Sequence, residues 1–347
     1  MDIKAEAMRL FKIVEADRSK VRFWVRVLKV GDHMYPWTLH DGAIMIRDGL
    51  RELGYHAEFE NTLPRVDTGW PTMQDRMLVA DTVQIQIIIG GNCGTPATLA
   101  TIPNGSIVYQ LEQAGAKNHF TADYVGLLKR CVVWDYHPHN ITMLKESLGI
   151  DAIFVPFSYV DAFDVAPKRG HKPEFDVIFL GAINPARAAI LNELSVYGLK
   201  VFKEPCYDKE RANMLMNSRV LLNVHFYQGL KVLEMCRLGI GMAAKKAVIT
   251  QFDPDVKAEP FLLPGLVKAP YDQLVAETVK LCRDEARIAR LGEEGFKLFS
   301  SRRAATVLEK ALADTTVRRP HLPENFIRTT DPRLPVYKQI PGTRPVW

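Results

Sequence analysis

The first residues that could bind a ligand lie in a turn that begins with a glycine and ends with an arginine. The turn Gly181–Arg187 (GAINPAR) follows an apolar run and opens a helical pattern. Glycine lets the backbone approach a ligand, and the N–H groups at a helix start favour phosphate. Gly181, Asn184 and Arg187 are therefore candidate ligands of a diphosphate, onto which Arg187 would fork. The alternative is an ordinary strand-to-helix turn with a surface arginine.

A second group lies at the start of another predicted helix, Leu230–Leu238. A carboxylate in the first turns of such a helix, here Glu234, is well placed to accept hydrogen bonds from both hydroxyls of a ribose. Lys231, just ahead of it, is placed to meet phosphate, and His225 lies in the same loop. The alternative is a helix with solvated side chains, in which Arg237 forms an i,i+3 ion pair with Glu234.

Apolar strands that alternate with helical stretches must position these residues. The predicted strands are Val21–Leu28, Val83–Ile89, Ser106–Leu111, Cys131–Asp135, Ala152–Pro156, Phe175–Leu180, Lys200–Phe202, Val220–Val224 and Ala247–Thr250. A long helical stretch, Tyr271–Lys310, closes the series. This alternation is typical of βαβ units, so we predict an α/β fold with two doubly wound parallel sheets. Ligands bind such sheets beyond the carboxyl ends of the strands.

The chain divides by composition into three parts. It becomes polar and irregular between Tyr159 and Glu174, and it accumulates prolines after Ala313. We therefore predict domains at 1–160 and 161–313 and an extended tail at 314–347. The tail holds six basic residues against two acidic ones from Arg318 onward, whereas the whole chain has a net charge of +5. It either follows a nucleic-acid backbone or packs as a strap on the body.

Composition excludes several classes of protein. Hydrophobic residues make up 47% and charged residues 24%, which is typical of globular proteins. The longest apolar runs are of strand length, so no membrane span is expected, and the N-terminus lacks a secretory pattern. The five scattered cysteines favour reduced thiols and a cytoplasmic location.

The second half resembles a known family. The segments DVIFLGAINPARAAILNELSVYGLKV, NSRVLLNVHFY, KVLEMCRL and KKAVIT resemble the nucleotide-sugar domain of GT-B glycosyltransferases. They are most similar to the bacterial and phage branch of CgeB-like proteins. In the first half, IVYQLEQ, VVWDYHPHNITMLKESLGI and IFVPFSY also resemble that branch, so the resemblance covers about residues 80–310.

The resemblance implies two facing Rossmann-like domains and a nucleotide-sugar donor, UDP-linked, with no further cofactor and no metal. In it, Glu234 holds the donor ribose, while Arg187 and Lys231 bind the diphosphate. Retaining members often have a second carboxylate seven residues from the first, where this chain has Tyr227 and Gly241. Related sequences also tend to place an acid where this chain has Gln251.

The acceptor side of such an enzyme needs a group that takes a proton from a hydroxyl. Asp41 at a helix start, Glu112 after one strand and Asp135 after another are the candidate bases. The alternatives are an N-cap for Asp41 and buried or turn-forming roles for the other two. The run Asp253–Asp255 has the D-x-D spacing of a metal site, but its proline favours a surface turn.

Three functions remain open for this sequence. The first is a glycosyltransferase, with small molecules, glycans, proteins or hydroxylated DNA bases as acceptors. The second is a nucleotide-sugar epimerase or hydrolase on the same fold. The third is a binding module without catalysis, which Gln251 and the missing second carboxylate favour.

Overall fold

The chain forms two compact units. The computed structural model describes residues 10–28, 39–60, 83–114, 119–165, 172–227, 232–318, 326–328 and 337–339. The second unit comprises His137–Asn140 and Pro156–Val307, and the other described residues belong to the first unit.

The first unit is built on a six-stranded sheet. After a short strand β1 (Leu10–Lys12) outside this sheet, the six strands are β2 (Val21–Val27), β3 (His56–Phe59), β4 (Val83–Ile89), β5 (Ile107–Gln110), β6 (Val132–Asp135) and β7 (Ala152–Phe154). Strands β2 to β7 are all parallel, in the order β3-β2-β4-β5-β6-β7. Every residue of β4 is buried, as expected of a strand covered on both faces.

Helices connect these strands. They are α1 (His40–Glu52), α2 (Pro96–Ala100), α3 (Ala122–Arg130) and α4 (Pro138–Leu148). Thr95 and Thr121 cap α2 and α3 by accepting a hydrogen bond from the backbone three residues on. Leu127 and Leu128 of α3 pack in one core with Ile88 of β4, so the apolar spacing of the helix decides which face it buries.

The second unit contains a five-stranded parallel sheet. Its strands are β8 (Phe175–Phe179), β9 (Val201–Phe202), β10 (Ser218–Asn223), β11 (Ala247–Gln251) and β12 (Leu266–Ala269), in the order β12-β11-β10-β8-β9. Its helices are α5 (Pro185–Val196), α6 (Asp208–Met216), α7 (Met235–Ala243), α8 (Leu274–Cys282) and α9 (Glu285–Ser301). The two parallel sheets with their helices confirm the predicted α/β fold.

The strand order creates a topological switch point in the second sheet. From β8 the chain passes first to β9 on one side and then to β10 on the other. The loops that leave β8 and β10 therefore diverge, and they leave a crevice at the carboxyl ends of the two strands. The same order occurs in the first sheet, with β2 between β3 and β4.

Two predicted helices differ from the observed ones. The stretch Tyr271–Lys310 is not one helix, because Asp284 caps a new helix by accepting a bond from the backbone of Arg287. A further break precedes α10 (Ala304–Ala313). The helix predicted from Leu230 begins only at Met235, since Val232 and Leu233 bond to Lys257 in an extended conformation.

The end of the chain returns to the first unit. Strand β13 (Thr316–Arg318) pairs antiparallel with β1, and the Trp134 indole donates to the Thr315 hydroxyl at 3.0 Å. Strands β14 (Phe326–Arg328) and β15 (Tyr337–Gln339) pair with each other. The rest of the predicted tail lies outside the described residues.

Candidate functional site

Several polar and charged side chains of the second unit lie at the crevice formed by the switch point of its sheet. Gly181 follows β8 with φ +145°, a conformation that L side chains rarely adopt. A Cβ placed there would lie 2.9 Å from Nη2 of Arg237 and 3.4 Å from Nη1 of Arg187. A glycine at this position therefore leaves room for two guanidinium groups beside the backbone.

Glu234 is the acidic centre of this crevice. It is the residue before α7, and its side chain is 17% exposed. Its Oε2 accepts a hydrogen bond from Nδ2 of Asn223 at 2.9 Å and lies 2.9 Å from Nδ1 of His225. Its Oε1 lies 3.7 Å from Nη2 of Arg187 and 3.8 Å from Nη1 of Arg237.

The surroundings keep Glu234 ionised. Burial opposes the charge, but the close contact with His225, the charge of Arg237 and the hydrogen bond from Asn223 lower the pKa of Glu234 to about 2. Asn223 is itself fixed, because it also donates to the Thr250 hydroxyl at 2.9 Å and accepts from Arg237. The site thus presents a fixed carboxylate at neutral pH.

Arg187 is buried beneath this site. It is 2% exposed, and its Nε and Nη2 donate to the Val224 carbonyl at 2.9 and 2.6 Å. Its Nη1 donates to the Ala182 carbonyl at 2.7 Å. Burial, followed by repulsion from Arg237, lowers the pKa of Arg187 to about 9, against the attraction of Glu234. In this conformation Arg187 joins the two loops of the crevice, and its predicted contact with a diphosphate stays a prediction.

Arg237 is the arginine that borders the open side of Gly181. Its side chain is 18% exposed, and its Nη1 donates to Oδ1 of Asn223. Burial lowers its pKa, while the charge of Glu234 opposes that shift. The sequence interpretation treated Arg237 only as an ion-pair partner of Glu234. The i,i+3 spacing was the signal for its place in the site, since it puts both side chains on one face of α7.

Asn184 is the N-cap of α5, next to the crevice. Its Oδ1 accepts from the Arg187 backbone N–H at 2.9 Å, which caps α5, and Pro185 occupies the first helical position. Its Nδ2 donates to the Phe226 carbonyl at 2.9 Å. Asn184 therefore ties the loop after β8 to the loop after β10, besides capping the helix.

The Asp253–Asp255 segment forms a turn that supports the site. One oxygen of Asp253 accepts from the Tyr271 backbone at 2.9 Å, and the other accepts from Nε2 of Gln251 at 2.6 Å. Among the residues that the structure describes, no group of three or more His, Cys, Asp or Glu side chains could hold a metal ion. Lys231, predicted to meet phosphate, lies outside the described residues.

The carboxyl edge of the first sheet brings two of the predicted bases together. Glu112 is partly exposed, and its Oε1 accepts from Nδ2 of Asn92 at 3.3 Å. Asp135 is fully buried and accepts from Nε2 of Gln110 at 2.9 Å. The same amide group bonds both the backbone N–H and the backbone carbonyl of Glu112 at 2.6 Å.

Asp41 lies in the first turn of α1 and is 5% exposed. The alternative interpretation of Asp41 as an N-cap is wrong, because Leu39 occupies that position without a side-chain cap. The neighbouring Gly42 packs close to Leu111, which follows β5.

Comparisons with solved structures agree with this architecture. AviGT4, a glycosyltransferase involved in avilamycin A biosynthesis, superposes with a TM-score of 0.53 and 14% identity, covering 85% of this chain and 99% of the other. The DNA-modifying enzyme β-glucosyltransferase gives a TM-score of 0.53 and 10% identity over 84% and 99% of the two chains. The chain has the GT-B fold. HepE of Anabaena, solved with UDP, gives a TM-score of 0.50 and 10% identity over 85% and 99%.

Sequence comparison is less informative. The uncharacterized protein L140 of Acanthamoeba polyphaga mimivirus is 26% identical over 163 residues, which are 44% of this chain. The chain spans about half, 51%, of the length of that curated relative. No family model matches the chain, so the resemblance to the CgeB-like branch stays a prediction. Within the described ranges, no helix has the length and apolar character needed to cross a membrane.

Proposed function

We propose that this chain is a glycosyltransferase that moves a sugar from a UDP-linked donor to an acceptor hydroxyl. The ionised Glu234 beside Arg237, at the switch point of the second sheet, is the observation that carries the proposal. The GT-B fold agrees with it. Two fold neighbours bind uridine nucleotides, which supports a uridine nucleotide here: uridine diphosphoglucose is a substrate of the DNA β-glucosyltransferase, and HepE was solved in complex with UDP.

The ribose and the diphosphate of the donor each have a distinct partner in this proposal. Among the described residues, Oε1 of Glu234 has only the ion-pair contacts with Arg187 and Arg237 at 3.7 and 3.8 Å and no hydrogen bond, so it is available to the ribose hydroxyls. Arg237 and the backbone at Gly181 are available to the diphosphate, since Gly181 is exposed and the Arg237 side chain beside it is 18% exposed. A guanidinium matches a diphosphate because it donates two parallel hydrogen bonds.

The reaction exchanges one bond at the anomeric carbon. The acceptor oxygen bonds to that carbon, the bond to the diphosphate oxygen breaks, and the diphosphate leaves with the electron pair. A cation held beside the leaving group stabilises the developing charge. We propose Arg237 for that role and Glu112 for the proton of the acceptor, because Asp41 and Asp135 are buried whereas Glu112 is partly exposed.

Calorimetric titration with UDP tests the donor site. Glu234→Ala removes hydrogen bonds to a charged group, which are worth about 1.5–3 kcal/mol, so UDP should bind about tenfold to 150-fold more weakly. Glu193→Ala, on the exposed surface of α5, is the matched control and should bind UDP like the wild type. Unchanged affinity in Glu234→Ala would mean that this carboxylate only supports the fold.

Turnover separates this proposal from the other functions. UDP-glucose incubated with a panel of hydroxyl acceptors should yield glycosylated product, detected by mass spectrometry. An epimer or free sugar formed without acceptor would indicate an epimerase or hydrolase. UDP binding without turnover of any UDP-sugar would indicate a binding module.

All five cysteines are free thiols, which supports a cytoplasmic location.

A further inference from the structure

His225 follows β10 and is fully buried next to Glu234. Its Nδ1 lies 2.9 Å from Oε2 of Glu234, although the two are poorly aligned. Its Nε2 is also buried and has no hydrogen-bond partner among the described residues. A ring with no exposed atom does not reach a ligand in this conformation, so any effect on the donor must pass through Glu234.

The two ring nitrogens differ in what a proton on each would cost. A proton on Nε2 would bury an N–H donor that has no acceptor among the described residues, which is unfavourable. A proton on Nδ1 faces the carboxylate of Glu234, 2.9 Å away. The neutral imidazole therefore carries its proton on Nδ1.

The backbone of His225 is held from the opposite side. Its N–H donates to Oε1 of Gln251 at 3.1 Å, and the amide of Gln251 donates to Asp253 at 2.6 Å. A glutamate at position 251 would place its carboxylate against that of Asp253, at the 2.6 Å now spanned by the hydrogen bond. The glutamine thus accepts from His225 and donates to Asp253, which a carboxylate does not do.

We propose that His225 is a positioning residue, which orients the carboxylate of Glu234 for the donor ribose through its Nδ1–H. Among the described residues, the other charged groups in contact with Glu234 are Arg187 and Arg237, and both contact the opposite oxygen, Oε1. His225 therefore acts on Oε2 and leaves Oε1 to the ligand. This role rests on the proposed function, since it requires that Glu234 binds a nucleotide.

Two substitutions that differ in where they place an amide test the role. The side-chain amide of His225→Asn stands near the position of Nδ1, whereas that of His225→Gln stands near the position of Nε2. UDP affinity, measured by calorimetry, should fall about tenfold in His225→Ala and His225→Gln, the effect of losing one hydrogen bond to a charged group. It should stay within about threefold of the wild type in His225→Asn.

The unliganded protein provides a second measurement. Nitrogen-15 NMR of the full chain at about pH 8 should show Nδ1 of His225 protonated and Nε2 unprotonated. A proton on Nε2 would overturn the inference, as would a His225→Asn variant that binds UDP as weakly as His225→Ala. A His225→Ala variant that keeps wild-type affinity would overturn this role alone. A wild-type protein that does not bind UDP would overturn the proposed function together with it.

Discussion

Glu234→Gln tests the electrostatics of the site through the pH dependence of folding. The ordinary pKa of a glutamate is 4.5, and in the folded protein that of Glu234 is about 2. Each unit corresponds to 1.36 kcal/mol, so the ionised group contributes about 3 kcal/mol to the free energy of unfolding at neutral pH. Because the folded pKa is lowered, this contribution is complete above the unfolded pKa and is lost as pH falls towards about 2.

The assay is urea unfolding of the wild type and Glu234→Gln at about pH 5.5 and pH 3.5. At pH 5.5 the wild type should have a larger free energy of unfolding than Glu234→Gln. At pH 3.5 this difference in free energy should be smaller by about 1 kcal/mol. Glu193→Gln, on the exposed face of α5, should show no such change relative to the wild type. A difference that is the same at both pH values would refute the argument that the site lowers the pKa of Glu234.

Three further predictions concern the site and the reaction. Gly181→Ala should lose about 1–3 kcal/mol of stability from backbone strain, seen in urea unfolding, and bind UDP more weakly because its Cβ displaces the Arg237 guanidinium. Glu112→Gln should lower kcat for glycosyl transfer about 100-fold or more without changing UDP affinity; an unchanged kcat would exclude Glu112 as the base. Transfer should persist in excess chelator, since Asp253 bonds to protein donors; loss restored by manganese would contradict this.

The sequence predicted the site best where the structure depends on neighbouring residues along the chain. The turn Gly181–Arg187 was predicted to follow a strand and open a helix, and it joins β8 to α5, which has Asn184 as its N-cap and Pro185 as its first residue. Glu234 was singled out by its place after a strand, and it stands at the carboxyl edge of the sheet. Its function in binding ribose stays a prediction.

The sequence was less informative about short elements. Strands β3 and β12, of four residues each, were not predicted. Their pairing partners, β2 and β11, are what hold them extended. In the same way, Val232 is extended because it bonds to Lys257, a residue 25 positions later.

By itself, then, the sequence determined the α/β class, the alternation of strands and helices, and the side chains available to a nucleotide. Only the tertiary structure decided which of the two arginines beside Gly181 stays partly exposed and which is buried. Arg187 bonds to the Val224 carbonyl, 37 residues away, whereas Arg237 stays partly exposed beside Gly181. The physical reason is that helical spacing and caps depend on neighbours along the chain, while burial of a guanidinium depends on which loops the strand order brings together.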